Sequence, residues 1–352
     1  MNWRKKAFFI KSIIFSLAFI FFSKKYVRRD ILVRGKYLSD DDMLKAKLRY
    51  LQTANYTIYK EENNLSHNTS LRSTYFHSSP QSHVTKIFYN RIPKTGSTLM
   101  WSLMEMLQDT NKFVYLNLPN EDNFEHRFFT VEEVINFVNI YFMGKEQQRA
   151  LIVKHLLYID FDRAFRFNET PKYINQVRSP FDRFVSNYNY MRFKSYHPKV
   201  TPKDFKELPI DKCINTRHVE CAHPNSTMVM VRFFCGHDPI CLLEGKAAVN
   251  LAKRNIEKDY IAVGLLERRR ESMVIFEHLL PQFFTGLLKL YDKEEKEKTS
   301  VKNRTRWRQI PSKNETILLR DLLKYDQEIY DFIAQRFQRQ YQSIRHLLKS
   351  NI

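Results

Sequence analysis

The chain has 352 residues, with 58 Lys and Arg against 38 Asp and Glu, which gives a formal net charge of +20. Hydrophobic residues make up 43% of the chain and aromatic residues 14%, so it can build a sizeable core and is not disordered throughout. A mean hydropathy of −0.49 and a single long apolar run exclude a multi-pass membrane protein. The positive charge indicates a polyanionic partner, whether nucleic acid, an anionic membrane or an acidic polysaccharide.

The long apolar run extends from Ala7 to Ser23 and is interrupted only by Lys11. As a helix it reaches about 25 Å, slightly less than the ~30 Å hydrocarbon core of a bilayer. No small-residue cleavage site follows it, so the run predicts an uncleaved signal anchor rather than a removed signal peptide. We therefore expect residues 1–30 to form a cytoplasmic tail and a single transmembrane anchor.

Two features favour a lumenal location for the rest of the chain, and hence a type II topology. One is the presence of seven Asn-x-Ser/Thr sequons, the acceptors of N-linked glycans. They lie at Asn55, Asn64, Asn68, Asn168, Asn225, Asn303 and Asn314. The other is a group of four cysteines that lie close together in the sequence. A lumenal body argues against a nucleic-acid partner.

The four cysteines are Cys213, Cys221, Cys235 and Cys241. Their spacings match no common zinc pattern, so two short-loop disulfides in an oxidising compartment are favoured over metal ligation. Three connectivities are possible from sequence alone. Pairing of neighbours, Cys213 with Cys221 and Cys235 with Cys241, would give the tightest loops.

Residues 31–85 are predicted to be a stem, because the segment 61–83 is rich in Asn, Ser, His and Thr. Residues 86–352 are predicted to be the catalytic domain, in which short apolar strand patterns alternate with helical periodicity. The expected strands are 87–89, 151–153, 173–177 and 260–266, and the expected helices are 97–107, 130–142, 180–193, 246–257 and 271–280. The alternation predicts an α/β, P-loop-like three-layer sandwich with a mostly parallel central sheet.

Two segments near the C-terminus complete the predicted elements. Ile317–Leu348 is predicted to be one long amphipathic helical stretch, because its apolar residues recur with helical spacing. The mixed-charge run Lys293–Lys298 is predicted to be plain surface.

A first candidate anion site is the segment Tyr89–Thr98, YNRIPKTGST, between the first strand and its helix. Ligands usually bind at this edge of a parallel sheet. Gly96 allows a tight turn, the amides of residues 95–98 can cradle an anion at the helix start, and Lys94 adds a point charge. The spacing is not that of the nucleoside-triphosphatase P-loop. The alternative is an ordinary Pro-Lys-x-Gly turn with a capping serine.

A second candidate anion site follows a later strand. Arg178 stands at the end of that strand, and Ser186 lies two turns into the next helix. A guanidinium offers a fork of donors that suits phosphate oxygens, and a hydroxyl can complete the clamp. Taken singly, each residue is more commonly a surface cation or a helix serine.

The two loops together resemble those of the sulfotransferase family, and more specifically the chain looks like the uronosyl 2-O-sulfotransferases of the Golgi, which include the heparan sulfate and the dermatan/chondroitin enzymes. The matching stretches include VKHLLYIDF at 153–161, the segment 173–193, RFFCGH at 232–237, VGLLE at 263–267 and LPQFFTG at 280–286. They extend the resemblance over roughly residues 86–345.

The resemblance implies a donor, 3′-phosphoadenosine 5′-phosphosulfate, and no metal. By this likeness the 5′-phosphosulfate is held by Lys94, Thr95, Gly96, Ser97 and Thr98, and the 3′-phosphate by Arg178 and Ser186. Lys94 is also implied in catalysis, because fixed cations and amides can stabilise the charge that develops on the leaving phosphate.

The resemblance also implies a catalytic base, His155, just after a strand. By spacing alone a lone histidine there is more often structural, but a histidine side chain ordinarily has a pKa of about 6.5 and suits proton transfer near neutral pH. Val153-Lys154-His155 keeps only the second histidine of the His-Gly-His of the heparan sulfate enzymes, and Ser179 replaces the usual Asp. Markers of the heparan and dermatan/chondroitin subgroups conflict.

The acceptor candidates are basic residues near the two loops: Arg91, Arg192, Lys194, Arg304 and Arg306. They can pair with uronate carboxylates and sulfates, while the alternative for each is a solvated basic surface. The implied partner is a glycosaminoglycan, either heparan sulfate or dermatan/chondroitin sulfate. The family also implies a homo-oligomer, for which a trimer is the expected form.

The predicted function is therefore transfer of a sulfuryl group to the 2-hydroxyl of an iduronate or glucuronate unit, by a membrane-anchored glycoprotein of the Golgi. The alternative is a catalytically inactive Golgi protein that binds sulfated glycans. A nucleotide kinase is disfavoured by the missing P-loop spacing.

Overall fold

The computed structural model describes residues 76–118, 128–142, 148–164, 170–193, 207–297 and 308–350. The predicted anchor and most of the predicted stem therefore lie outside the described residues. Within the described ranges, no helix is both long and apolar enough to cross a membrane. Residues 76–85, assigned above to the stem, contact the body of the protein: the Gln81 amide donates to the Leu279 carbonyl at 2.7 Å, and Val84 is buried.

The centre of the protein is a parallel sheet of five strands in the described residues. The strands are β1 (Lys86–Asn90), β2 (Val114–Asn117), β3 (Ala150–Lys154), β4 (Lys172–Val177) and β5 (Tyr260–Leu265). Their spatial order is β2-β3-β1-β4-β5, and every adjacent pair is parallel. The predicted α/β fold with a parallel sheet is thus confirmed, and β2 is a strand that the sequence pattern did not predict.

Helices connect successive strands, as parallel pairing requires. Those before β5 that flank the sheet or its connections are α1 (Ser97–Met106), α2 (Gln108–Asn111), α3 (Val131–Tyr141), α4 (Phe161–Ala164) and α5 (Pro180–Phe193). The start of α3 is fixed by a capping box, in which Thr130 and Glu133 satisfy each other's backbone N–H groups.

A helical segment that the sequence pattern left unassigned separates α5 from β5. It contains α6 (Ile210–Asn215), α7 (Val219–Ala222), α8 (Pro224–Thr227), α9 (Val229–Cys235), the 3₁₀-helix Pro239–Leu242 and α10 (Lys246–Asp259). Most of these helices are shorter than two turns, so helical periodicity is too brief to detect there. Only α10 was predicted, and it is two residues longer than expected.

The described residues after β5 are mostly helical. They form the 3₁₀-helix Leu266–Arg268, then α11 (Arg269–Leu279), α12 (Pro281–Phe284), α13 (Leu287–Glu297), α14 (Lys313–Leu322) and α15 (Lys324–Ser350). Residues 293–297 of the run predicted as plain surface form the end of α13, where the charged side chains are mostly exposed while Leu287 and Tyr291 are buried, and Lys298 lies outside the described residues.

The single C-terminal helix predicted from the sequence is in fact two helices, α14 and α15, which meet at Leu323. Leu319 and Leu323 belong to a small apolar cluster with Phe184 and Tyr188 of α5, whereas the apolar side chains of α15 from Ile329 onward pack in the main core. The break lets one amphipathic stretch serve two separate apolar clusters.

Both neighbouring cysteine pairs form disulfides in the structure. Cys213–Cys221 joins α6 to α7, and Cys235–Cys241 joins the end of α9 to the following 3₁₀-helix. Among the residues that the structure describes, no group of three or more His, Cys, Asp and Glu side chains could hold a metal ion.

Candidate active site

The residues predicted to carry chemistry gather at one edge of the sheet. In a parallel sheet the carboxyl ends of all strands meet there, and the pairing of Asn90 with Lys154 and of Tyr89 with Ile174 aligns the ends of β1, β3 and β4. The loop 91–96 leaves β1, and His155 directly follows β3. Arg178 likewise follows β4. Three of the sequence-predicted groups are therefore brought to the carboxyl edge of adjacent strands.

The loop after β1 has the backbone shape of an anion cradle. Lys94 and Gly96 both have left-handed backbones, with φ of 67° and 77°. Between them Thr95 is fully buried; its hydroxyl donates to the Ile92 carbonyl at 2.8 Å, and its carbonyl accepts from Gln176 Nε2 at 2.6 Å. The loop is thereby tied to itself and to β4, so its amides point in fixed directions.

Helix α1 begins directly after this cradle. Its N-cap is Gly96, which has no side chain to cover the first amides of the helix. Those N–H groups and the positive end of the helix dipole together favour an anion at this position. Ser97 is buried at the start of the helix, while Thr98 is exposed beside it.

Gly96 leaves no room for a side chain. A Cβ at this position would lie 2.3 Å from Leu266 Cδ1 and 3.3 Å from Gln176 Nε2, and its φ of 77° disfavours any L-residue. We expect Gly96→Ala to lower the free energy of unfolding by about 2 kcal/mol or more and to weaken nucleotide binding by distorting the cradle. Thermal denaturation and calorimetric titration with adenosine 3′,5′-bisphosphate measure the two effects.

Gly245→Ala is the matched control, because Gly245 also has a positive φ but a Cβ there meets nothing within 4 Å. It should keep nucleotide affinity unchanged. Unaltered affinity in Gly96→Ala would contradict the proposed cradle.

His155 is oriented by the backbone of the same loop. Its Nδ1 lies 2.7 Å from the Arg91 carbonyl oxygen, and the side chain is half-buried. Because a carbonyl can only accept, Nδ1 carries the proton in this bond, and the basic lone pair of the neutral ring is on Nε2. The contact therefore fixes the tautomer that a general base needs.

Beneath the loops lies a buried amide network that the sequence pattern did not indicate. Asn175 Nδ2 donates to the carbonyl of Asn90 at 2.8 Å and to its Oδ1 at 2.9 Å, and the Tyr260 hydroxyl donates to the same Oδ1 at 3.0 Å. All three side chains are buried. They join β1, β4 and β5 just below the edge, which makes the platform under the site rigid. The available signal was a polar residue at the end of an apolar strand.

Arg178 leaves the end of β4 into a partly desolvated, charged environment. Its guanidinium lies 3.9 Å from Asp182 Oδ1, and Arg308 lies 3.8 Å from the same oxygen. Burial lowers the pKa of Arg178, Asp182 opposes that shift, and nearby Arg308 and Arg269 lower it further. A bound dianion would stabilise the charged form of a guanidinium that lies among other cations. Ser186 is half-buried two turns along α5.

The structure shows what binds the backbone at Ser179. Its amide donates to Glu267 Oε1 at 2.8 Å, and the other oxygen of that carboxylate accepts from the Tyr330 hydroxyl at 3.2 Å. Glu267 therefore links the Arg178 turn to the 3₁₀-helix after β5 and to α15. Sequence reasoning missed this group because its partners are far away along the chain.

The predicted acceptor residues have different surroundings. Arg91 is half-buried beside His155. The Arg192 side chain is only 1% exposed; its guanidinium lies 3.3 Å from the Tyr188 ring centre and 3.9 Å from Glu220. Lys194, Arg304 and Arg306 lie outside the described residues.

The sequence is similar to a known protein family and to proteins of known function from several organisms. The profile of the sulfotransferase family matches residues 79–236. Human uronyl 2-sulfotransferase is 29% identical over 291 residues, which cover 79% of this chain and 68% of that protein. Heparan sulfate 2-O-sulfotransferase 1 of Xenopus laevis is 31% identical over 257 residues, covering 72% of this chain and 70% of the relative. A heparin sulfate O-sulfotransferase of Drosophila melanogaster is also 31% identical, with 72% of each chain covered.

Proposed function

The chain belongs to the sulfotransferase family, and from that premise we propose that it transfers a sulfuryl group from 3′-phosphoadenosine 5′-phosphosulfate to the 2-hydroxyl of a uronic acid in a glycosaminoglycan. The relatives are named for uronyl, heparan sulfate and heparin sulfate acceptors, which supports this acceptor class. The observation that carries the proposal is the placement of Lys94, His155 and Arg178 at the carboxyl ends of three adjacent strands.

The chain's cations and amides fit the two anionic ends of the donor. The first amides of α1, left uncovered by Gly96, and the Lys94 ammonium suit the 5′-phosphosulfate. Arg178 and Ser186 suit the 3′-phosphate, because a guanidinium binds phosphate oxygens through two parallel hydrogen bonds. Thr95 supports the cradle from inside through its bonds to Ile92 and Gln176.

His155 acts as the base. Its Nε2 accepts the proton of the acceptor hydroxyl as that oxygen bonds to sulfur, and the bond between sulfur and the bridging phosphate oxygen breaks. The Arg91 carbonyl, which binds Nδ1–H, steadies the imidazolium that forms. Lys94 and the cradle amides receive the negative charge that develops on the departing phosphate, and such fixed donors are commonly the largest electrostatic contribution to a transfer.

The proposal also covers acceptor binding and the cellular location of the protein. Of the predicted acceptor residues that the structure describes, Arg192 is buried, whereas Arg91 is half-buried and its backbone contacts His155, so Arg91 is our candidate for binding a uronate carboxylate. We further propose a type II Golgi membrane protein anchored by residues 1–30, with an oligomeric, glycosylated lumenal body. The two disulfides are compatible with an oxidising lumen, and Asn225 and Asn314 are exposed sequon residues.

Transfer of radiolabelled sulfate tests this proposal directly. The full chain in detergent is incubated with labelled donor and, in separate reactions, with desulfated heparan sulfate, dermatan and chondroitin. We expect label in at least one of these polymers. Binding of a sulfated glycan without incorporation into any of them would support the inactive glycan-binding alternative and refute the enzyme.

A further inference from the structure

Lys94 makes an aromatic contact that neither the family resemblance nor the proposed mechanism assigns. Its ammonium nitrogen lies 3.6 Å from the centre of the Tyr190 ring. A lysine ammonium this close to the face of a tyrosine ring is within cation–π range. Tyr190 is half-buried, so part of this contact is shielded from water.

The position of Tyr190 joins the two anion sites. It lies on α5, four residues after Ser186, and residues spaced by four share one face of a helix. Helix α5 therefore carries both Ser186, which is predicted to bind the 3′-phosphate, and the Tyr190 ring, which contacts Lys94 in the loop after β1. The left-handed backbone of Lys94, with φ of 67°, helps to define where its side chain leaves that loop.

An aromatic face is a suitable support for a lysine that must bind an incoming anion. A lysine side chain has several freely rotating bonds, and ordering it only on arrival of the donor costs conformational entropy. A ring face restrains the ammonium through its quadrupole without neutralising the charge, as a carboxylate would. Lys94 can then be held near its working position while it stays available to a phosphosulfate.

We propose that Tyr190 is a positioning residue for Lys94, whose ring face preorganises the ammonium for donor binding and sulfuryl transfer. This inference rests on the proposed function, because it assigns Tyr190 a role in that same donor site. It requires the aromatic ring and not the phenolic hydroxyl.

The test compares Tyr190→Leu with Tyr190→Phe. The leucine keeps apolar bulk without a ring face, whereas the phenylalanine keeps the ring without the hydroxyl. We expect Tyr190→Leu to lower kcat/KM for the donor roughly tenfold and to weaken adenosine 3′,5′-bisphosphate binding several-fold, while Tyr190→Phe stays within about twofold of the wild type. Equal losses in both variants would overturn the role of the ring.

A double-mutant cycle separates positioning from packing. In a Lys94→Ala background, Tyr190→Leu should change nucleotide affinity less than twofold, because the group that the ring holds is gone. If the full loss persists in that background, Tyr190 merely supports the fold and the inference is wrong. The wild-type chain is titrated beside each variant as the control. If the wild type does not bind the nucleotide, both the proposed function and this inference are refuted. If the wild type binds normally but Tyr190 and Lys94 show no coupling, only the inference is refuted.

Discussion

Replacement of His155 by Ala is expected to abolish sulfuryl transfer while leaving nucleotide binding intact. A positioned general base contributes roughly 10²–10⁴-fold to a rate, so kcat should fall by at least about 100-fold. The cradle at residues 94–98 is held to β4 by the bond between the Thr95 carbonyl and Gln176, and the turn after Arg178 is held by the bond between the Ser179 amide and Glu267. Neither hydrogen bond involves the imidazole. The dissociation constant for adenosine 3′,5′-bisphosphate should therefore stay within about threefold of the wild-type value.

Two further variants distinguish a role of His155 as the base from a role in holding the loop. In His155→Asn the side-chain amide can still donate to the Arg91 carbonyl but cannot accept a proton as a base, so it should be as inactive as His155→Ala. His83→Ala removes an exposed histidine at the opposite end of β1 and should be fully active. Activity of His155→Asn near that of the wild type would show that His155 holds the loop in place and is not the base.

Replacement of Arg178 by Ala is expected to remove the discrimination between nucleotides with and without a 3′-phosphate. Hydrogen bonds to charged groups contribute about 1.5–3 kcal/mol, so affinity for adenosine 3′,5′-bisphosphate should fall roughly 10- to 100-fold. Affinity for adenosine 5′-monophosphate should change little, because that ligand lacks the group that Arg178 is proposed to bind. Calorimetric titration of both nucleotides gives the ratio directly.

The control for lost positive charge is Arg345→Ala, since Arg345 is an exposed residue near the end of α15. It should leave both affinities unchanged. Ser186→Ala should lower affinity for the bisphosphate by a smaller factor than Arg178→Ala. An equal loss of affinity for both nucleotides in Arg178→Ala would mean that Arg178 supports the loop or the 5′ site, and would contradict its assignment to the 3′-phosphate.

The sequence predicted the parts of the protein that depend on local patterns. Strands such as β3 and β5 are buried throughout and read as short apolar runs, and helices such as α3 and α10 carry clear periodicity. The edge position of Lys94 and Arg178 then followed from the rule that parallel strands end on one side. β2 was not predicted because its apolar run is short and its four residues are half-buried or exposed, and so short a run does not by itself distinguish a strand from other structure.

The contacts that shape the site are not local, and they could not be read from the sequence. Asn175 bonds Asn90 across 85 residues, and Glu267 bonds Ser179 across 88 residues. Lys94 meets Tyr190 only because the loop after β1 and helix α5 converge at the same edge. The burial of Arg192 against Tyr188 is likewise a tertiary feature, because a basic residue near a helix end is ordinarily solvated.

The position of the transferred sulfate tests the central claim most directly. Labelled polymer made by the full chain is cleaved to disaccharides, which are separated and identified by mass spectrometry. The proposed function predicts that the label lies on the 2-oxygen of iduronate or glucuronate units, and that it is absent from reactions with His155→Ala. Label confined to the hexosamine, or no label in any acceptor, would contradict it.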